Sequence, residues 1–150
     1  MHHIDLHVIH YDEPQWVLDR CIASLEGQPV NIHIVQGVKE FPPIKGRQAG
    51  YVAGTAPYAT YVDPDDEVMP GAVERLLVHY GADLIWGNEL VKGPDGMEYV
   101  AYAPHHLVLR KREKTGLNIK RHVNEVLYVW NMARGTRYNR LIMKRDRSWL

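Results

Sequence analysis

Apolar side chains recur at every second position in Ile4, Leu6 and Val8, with Asp5 and His7 between them and Ile9 behind. This predicts a strand that becomes buried toward its C-terminal end. Tyr11-Asp12-Glu13-Pro14 then reads as a helix start, with Pro14 tolerated in the first turn and Leu18, Cys21, Ile22 and Leu25 forming the apolar stripe up to Gly27. Val30, Ile32 and Ile34 alternate as a second strand. The stretch from Gln36 to Gly46, with Phe41-Pro42-Pro43, cannot be regular structure and reads as a loop. Small residues from Arg47 to Ala56 suggest a short, closely packed helix. Tyr58 to Val62 is rich in strand formers and runs into Asp63-Pro64-Asp65-Asp66-Glu67; Pro70 opens a helix carrying Val73, Leu76, Leu77 and Tyr80, closed by Gly81.

Leu84, Ile85 and Trp86 form a further strand, and Gly93-Pro94-Asp95-Gly96 is a turn joining Asn88–Lys92 to Met97–Tyr102 as a hairpin. Leu107 to Leu109 can pair with that sheet, and Val123 to Ala133 reads as a helix with Val126, Leu127 and Trp130 on one side and Gly135 as its stop. Strands alternating with helices imply right-handed crossovers, hence an α/β fold with a mostly parallel sheet, flanking helices and an antiparallel hairpin portion. Ligands in such folds bind beyond the carboxyl ends of strands. Tyr11-Asp12, Gln36 and Asp63–Asp66 all fall at such ends, which argues for one site.

A chain of 150 residues with 45% hydrophobic and 24% charged residues fits one domain with a sizeable core and excludes a disordered or collagen-like chain. The lone Cys21 excludes a disulfide framework. No apolar run is long enough to span a bilayer, and the N-terminal apolar stretch is too short and interrupted for a signal peptide, so a cytoplasmic location is expected. The formal net charge of zero conceals an asymmetry: residues 1–104 hold 6 Lys+Arg against 15 Asp+Glu, and residues 105–150 hold 12 against 3. The basic run from Arg110 to Arg147, interleaved with Tyr128, Trp130, Tyr138 and Trp149, suits an anionic partner such as DNA or a lipid-linked acceptor at a membrane surface. It equally suits a solvated face, or a match to the acidic first part of the same fold.

Asp63, Asp65 and Asp66 lie within four residues and repel one another unless a cation or hydrogen-bond donors neutralise them. Oxygen ligands of this kind suit Mg²⁺ or Mn²⁺ completed by water and substrate phosphates; the other reading is a solvated, helix-capping loop. The segment Tyr58-Ala-Thr-Tyr-Val-Asp-Pro-Asp-Asp-Glu-Val-Met-Pro-Gly-Ala-Val resembles the strand, acidic motif and helix start of glycosyltransferase family 2, which has the Rossmann-like GT-A fold. Further segments agree in order: His7-Val-Ile-His-Tyr-Asp-Glu-Pro, Ser24-Leu-Glu-Gly-Gln, Gly46-Arg-Gln-Ala-Gly, Ala82-Asp-Leu-Ile-Trp-Gly-Asn with the Asp95-Gly96 turn, Leu109-Arg-Lys-Arg with Thr115-Gly-Leu, and Asn124-Glu-Val-Leu-Tyr-Val-Trp-Asn-Met-Ala-Arg-Gly.

The resemblance implies a single GT-A-like domain over residues 1–150, with a nucleotide- and metal-binding part in 1–104 and an acceptor side in 105–150. It implies metal-dependent transfer of a sugar from a nucleotide-sugar donor, with Asp63, Asp65 and Asp66 on Mn²⁺ or Mg²⁺ and Tyr11, Asp12, Gln36, Arg47, Asp63 and Asp65 contacting the donor. An inverting member needs a carboxylate base, for which Glu125 is the candidate. Gln36 stands where the family carries acidic residues, and Asn124-Glu125 where it carries Glu-Asp. The alternative is a non-catalytic nucleotide- or nucleic-acid-binding module of the same fold. His7, His10, His105 and His106 lack paired metal-ligand spacing and read as loop or strand-surface residues, Cys21 reads as core, and no phosphate-binding P-loop or dinucleotide fingerprint occurs.

Overall fold

The computed structural model describes residues 2–10, 13–36, 50–93, 96–113 and 118–132. Strands β1 (Ile4–His10), β2 (Asn31–Gln36), β3 (Tyr58–Val62), β4 (Glu67–Val68), β5 (Leu84–Lys92), β6 (Glu98–Ala101), β7 (Leu109–Lys111) and β8 (Lys120–Asn131) form one sheet. Helix α1 (Gln15–Ser24) links β1 to β2, and α2 (Ala72–Leu77) lies between β4 and β5. The sheet order is β2-β1-β3-β7-β5-β8-β4, with β6 beside β5. None of the helices described is long and apolar enough to cross a membrane.

The apolar alternation at the N-terminus produces the expected strand, and Ile4, Leu6 and Val8 are fully buried with Tyr58, Ile85, Leu109 and Leu127. Helix α1 adds Val17, Leu18 and Cys21 to this core and α2 adds Ala72, Val73 and Leu76. The hairpin forms as read, with Glu89–Lys92 pairing Glu98–Ala101. Strand β2 alternates as expected, but its isoleucines face outward at the sheet edge, Ile32 39% and Ile34 57% exposed. Of the helix expected over Arg47–Ala56, residues 47–49 lie outside the described residues, and the helical backbone described is Gly50 and Tyr51 alone.

Two expectations are corrected. The sheet is mixed: β1 pairs β2 and β3 in parallel and β5 pairs β8 in parallel, while β3–β7, β5–β7, β5–β6 and β4–β8 are antiparallel. Strand β7 accounts for two of the antiparallel pairings, because it enters between β3 and β5 in the opposite direction, and β4 against β8 adds another beyond the expected hairpin. The helix expected over Val123–Ala133 is strand β8 through Asn131, and its expected stop, Gly135, lies outside the described residues. Val126-Leu-Tyr-Val-Trp130 is a continuous apolar and aromatic run, which also fits a strand buried on both faces, and β-branched and aromatic residues between two partner strands prefer the sheet.

A polar lock holds the start of the sheet. The buried Asp5 carboxylate accepts hydrogen bonds from Ala56 N (2.7 Å), Asn31 Nδ2 (3.1 Å) and Arg112 Nη2 (3.1 Å), and His33 Nε2 lies 3.0 Å away. The Arg112 guanidinium also donates to the carbonyls of Tyr51, Ala53 and Ala56, fastening the chain before β3. Gly54 is required there: its φ is +76°, and a Cβ would sit 2.3 Å from the Asp5 carboxylate.

Candidate functional site

Strand register explains how distant residues meet. Val8 pairs Val62 and His10 pairs Gln36, so β1, β2 and β3 end together and Asp63 leaves the sheet at that edge. Strand β7 runs antiparallel to β3, with Ala59 opposite Arg110. Traced backwards from Leu109, the chain therefore climbs β3 toward Asp63, and Leu107 N donates to Tyr61 O at 3.2 Å. This brings His106 beside Asp63. Strand β5 delivers Glu89 to the same level, and Glu89 pairs with Tyr128 of β8.

The β5–β8 register slips between Gly87 and Asn88 and again between Asn88 and Glu89. Irregularities of this kind re-aim side chains beside functional sites. Glu89 is almost wholly buried and holds His106 twice: one carboxylate oxygen accepts from the His106 backbone N–H, and the other lies 3.1 Å from Nδ1. His106 Nε2 faces Asp63 Oδ2 at 3.2 Å. Aromatic rings enclose the imidazole, with Tyr128 stacked at 4.9 Å between centroids, Trp130 edge-on at 5.0 Å and Tyr61 at 5.9 Å.

The acidic loop is held by its own set of donors. Asp66 accepts from Tyr128 Oη (2.7 Å) and Asn131 N (2.7 Å), and the Asp65 carbonyl accepts from Arg20 Nη2 (2.8 Å) and Asn131 Nδ2 (3.0 Å). Asp63 N donates to Tyr128 Oη at 3.1 Å, and the Cys21 thiol reaches the Asp63 carbonyl at 3.5 Å. Asp66 is fully buried and Asp65 nearly so, whereas the Asp63 side chain is 22% exposed and opens the cluster to solvent.

Burial, and then the charge of Asp63, pushes the Asp65 carboxyl up to about 7; burial and the Asp65 charge hold Asp66 well above the usual carboxylate range. For His106, burial alone would lower basicity. Hydrogen bonds to Asp63 and Glu89 outweigh it and push the imidazole up to about 10, so a cation taken up by this cluster would have to displace the Nε2 proton while Nδ1 keeps its own.

Asp63, Asp66 and His106 each offer a ligand atom, all within 4.8 Å of one another. Octahedral ligands about 2.1 Å from an ion lie roughly 3–4.2 Å apart, so two carboxylate oxygens and an imidazole nitrogen at this spacing fit a divalent cation after a small contraction. Asp65 belongs to the same loop, but its carboxylate is not among the three converging groups.

The remaining sequence-predicted residues fall in different places. Gln36 sits at the end of β2, on the same edge as Asp63. Tyr11, Asp12 and Arg47 lie outside the described residues. Glu125 lies on strand β8 rather than on a helix, in the slip between Val123 and Val126, 54% exposed and 3.5 Å from Arg75. Among the described residues its ion pair is with Arg75, not with a residue of the acidic loop.

Arg110, Lys111, Arg112 and Lys120 collect at the other end of the sheet around a cavity of about 640 Å³ that Tyr51, Asp83 and Asn118 also line. Arg110 stands level with Ala59, four residues before Asp63, or about 13 Å of strand. The rest of the basic run, from residue 133 onward, lies outside the described residues. Cys21 is fully buried, as expected. Sequence reasoning set His106 aside as a loop or strand-surface residue, which its burial corrects, and did not single out Glu89, although a glutamate directly before the apolar Leu90-Val91 of an interior strand was a signal available to it.

No protein-family model matches the chain, and no curated protein matches it in sequence. Among solved structures, S. aureus TarS (residues 1–349), a GT-A-like glycosyltransferase of family 2, superposes with a TM-score of 0.62 at 10% identity, covering 88% of this chain and 61% of TarS. The chain thus spans about six-tenths of that protein. At this identity the likeness shows a glycosyltransferase-like fold.

Proposed function

We propose that this chain transfers a sugar from a nucleotide-sugar donor, with Asp63, Asp66 and His106 holding Mn²⁺ or Mg²⁺ at the carboxyl end of β3. The observation that carries this reading is the convergence of two carboxylates and an imidazole at the ligand-binding edge of a glycosyltransferase-like sheet. A divalent ion held there would supply positive charge to offset that of the leaving diphosphate.

The chain's own residues prepare that site. Tyr128 and Asn131 fix the Asp66 carboxylate, Arg20 and Asn131 hold the loop by the Asp65 carbonyl, and Asp63 stands at the solvent side to meet the donor. Asp65 supplies further negative charge beside the ion, and Gln36, with Tyr11, Asp12 and Arg47, contacts the nucleotide. Glu125 is the proposed base for an inverting transfer. The acceptor is anionic in this reading, and Arg110, Lys111 and Lys120 would tether it away from the place of transfer.

The test is release of nucleoside diphosphate from a panel of nucleotide sugars, with Mn²⁺ or Mg²⁺ and with chelator. One donor should be consumed in a metal-dependent way, and Asp63→Asn should lower turnover by at least about a hundredfold, the scale of losing one charge-stabilising group. Glu125→Gln in the same assay should reduce turnover with donor affinity kept. Metal-dependent nucleotide binding without turnover of any donor would replace the transferase with the non-catalytic nucleotide-binding module.

A further inference from the structure

Glu89 is a carboxylate placed where carboxylates are costly. It lies in the sheet interior, almost inaccessible to water, and among the described residues both of its oxygens go to one residue. Burying such a charge is unfavourable unless it is closely paired. Its two oxygens grip His106 at two points with different chemistry. The backbone N–H can only donate, so it fixes one carboxylate oxygen; the other oxygen must then accept from Nδ1, which keeps a proton on that nitrogen. The neighbouring Leu107 adopts φ +47°, a left-handed conformation that is strained for a non-glycine residue. Strain and a buried charge together hold one imidazole in one orientation.

The consequence falls on the far nitrogen. With Nδ1 protonated, Nε2 is the ring atom that presents a lone pair, and Nε2 faces Asp63 in the group with Asp66. We propose that Glu89 is a positioning residue that, through His106, sets the metal selectivity of the site: it commits Nε2 to the ion and so makes the site favour Mn²⁺ over Mg²⁺. This inference rests on the metal reading given under Proposed function and adds the buried residue that directs it. Mg²⁺ is a hard cation that takes oxygen ligands and keeps its waters, whereas imidazole nitrogen suits transition ions. A carboxylate behind a ligating histidine fixes its tautomer and raises its donor strength.

Glu89→Gln reverses the tautomer with little change in shape. The amide oxygen must face the His106 backbone N–H, so the amide NH₂ faces Nδ1 and donates to it. The ring proton moves to Nε2, which then cannot ligate.

The experiment is equilibrium binding of Mn²⁺ and of Mg²⁺ to the metal-free full-length chain and to its Glu89→Gln and His106→Gln variants, with electron spin echo spectroscopy of the Mn²⁺-loaded proteins. The wild-type chain should bind Mn²⁺ more tightly than Mg²⁺ and show directly coordinated nitrogen. Glu89→Gln should weaken Mn²⁺ by about ten- to a hundredfold and remove the nitrogen signal while Mg²⁺ affinity stays near its starting value. A purely structural role for Glu89 would weaken both ions together. Should Glu89→Gln fail to fold, as judged by circular dichroism, His106→Gln and the wild-type nitrogen signal decide the matter. Bound Mn²⁺ without coordinated nitrogen, or an unchanged Mn²⁺-to-Mg²⁺ ratio in folded variants, overturns the role of Glu89 and leaves the donor site standing. Absence of any divalent-ion binding overturns the metal reading itself.

Discussion

Single side chains in this protein carry charges deep inside the sheet, and their partners decide whether those charges stabilise it. Asp5 is the clearest stabilising case. Burial would raise its pKa, but hydrogen bonds from His33, Ala56 N, Asn31 and Arg112 outweigh burial and lower it from 3.8 to about 2. The folded chain therefore prefers the ionised form more strongly than the unfolded chain does. This contribution, about 2 kcal/mol, is fully present above pH 4 and is lost as pH falls from about 3.8 through about 2. Urea unfolding across that range should show it, and Asp5→Asn should flatten this part of the profile. The aspartates after β3 were visible in the sequence because they adjoin one another. His106 was not, because its partners Glu89 and Asp63 lie 17 and 43 residues away, and only the fold supplies that proximity.

At the scale of elements, strands with one clear period were legible and the last strand was not. The alternation through Ile4, Leu6 and Val8 and the Gly93–Gly96 turn fixed β1 and the hairpin locally. Residues 126–130 are a continuous apolar run that periodicity cannot assign to helix or strand, and pairing with β5 and β4 decides between them. Strand β2 shows the converse: its alternation was correct, yet its position at the sheet edge leaves Ile32 and Ile34 outward. The β5–β8 contact is also tight at one point. A Cβ on Gly87 would approach Leu127 Cδ1 to 2.5 Å. Gly87→Ala should therefore destabilise the fold by about 1–3 kcal/mol, measured as a lower denaturant midpoint with an unchanged m-value.

At the scale of the molecule, the described residues place the acidic loop and a basic cluster at opposite ends of the sheet. The asymmetry between the acidic first part and the basic remainder was evident in the sequence, but its arrangement follows from β7 running back between β3 and β5. Asp63 and Asp66 end at one edge while Arg110, Lys111 and Lys120 gather at the other. The two ends should behave independently: the double substitution Arg110→Ala, Lys120→Ala should leave Mn²⁺ affinity within measurement error while weakening retention on an anionic matrix. A fall in Mn²⁺ affinity would mean that the two ends are coupled. The central claim is that the acidic edge binds a nucleotide donor through a divalent ion. Its most direct test is the thermal midpoint of the full chain against nucleoside diphosphates and nucleotide sugars, with Mn²⁺ and with chelator. One nucleotide should raise the midpoint in Mn²⁺ by roughly 5–10 °C at a hundredfold excess over its Kd, with no rise in chelator. A midpoint that no nucleotide moves in the presence of Mn²⁺, or one that moves equally in chelator, would contradict the account.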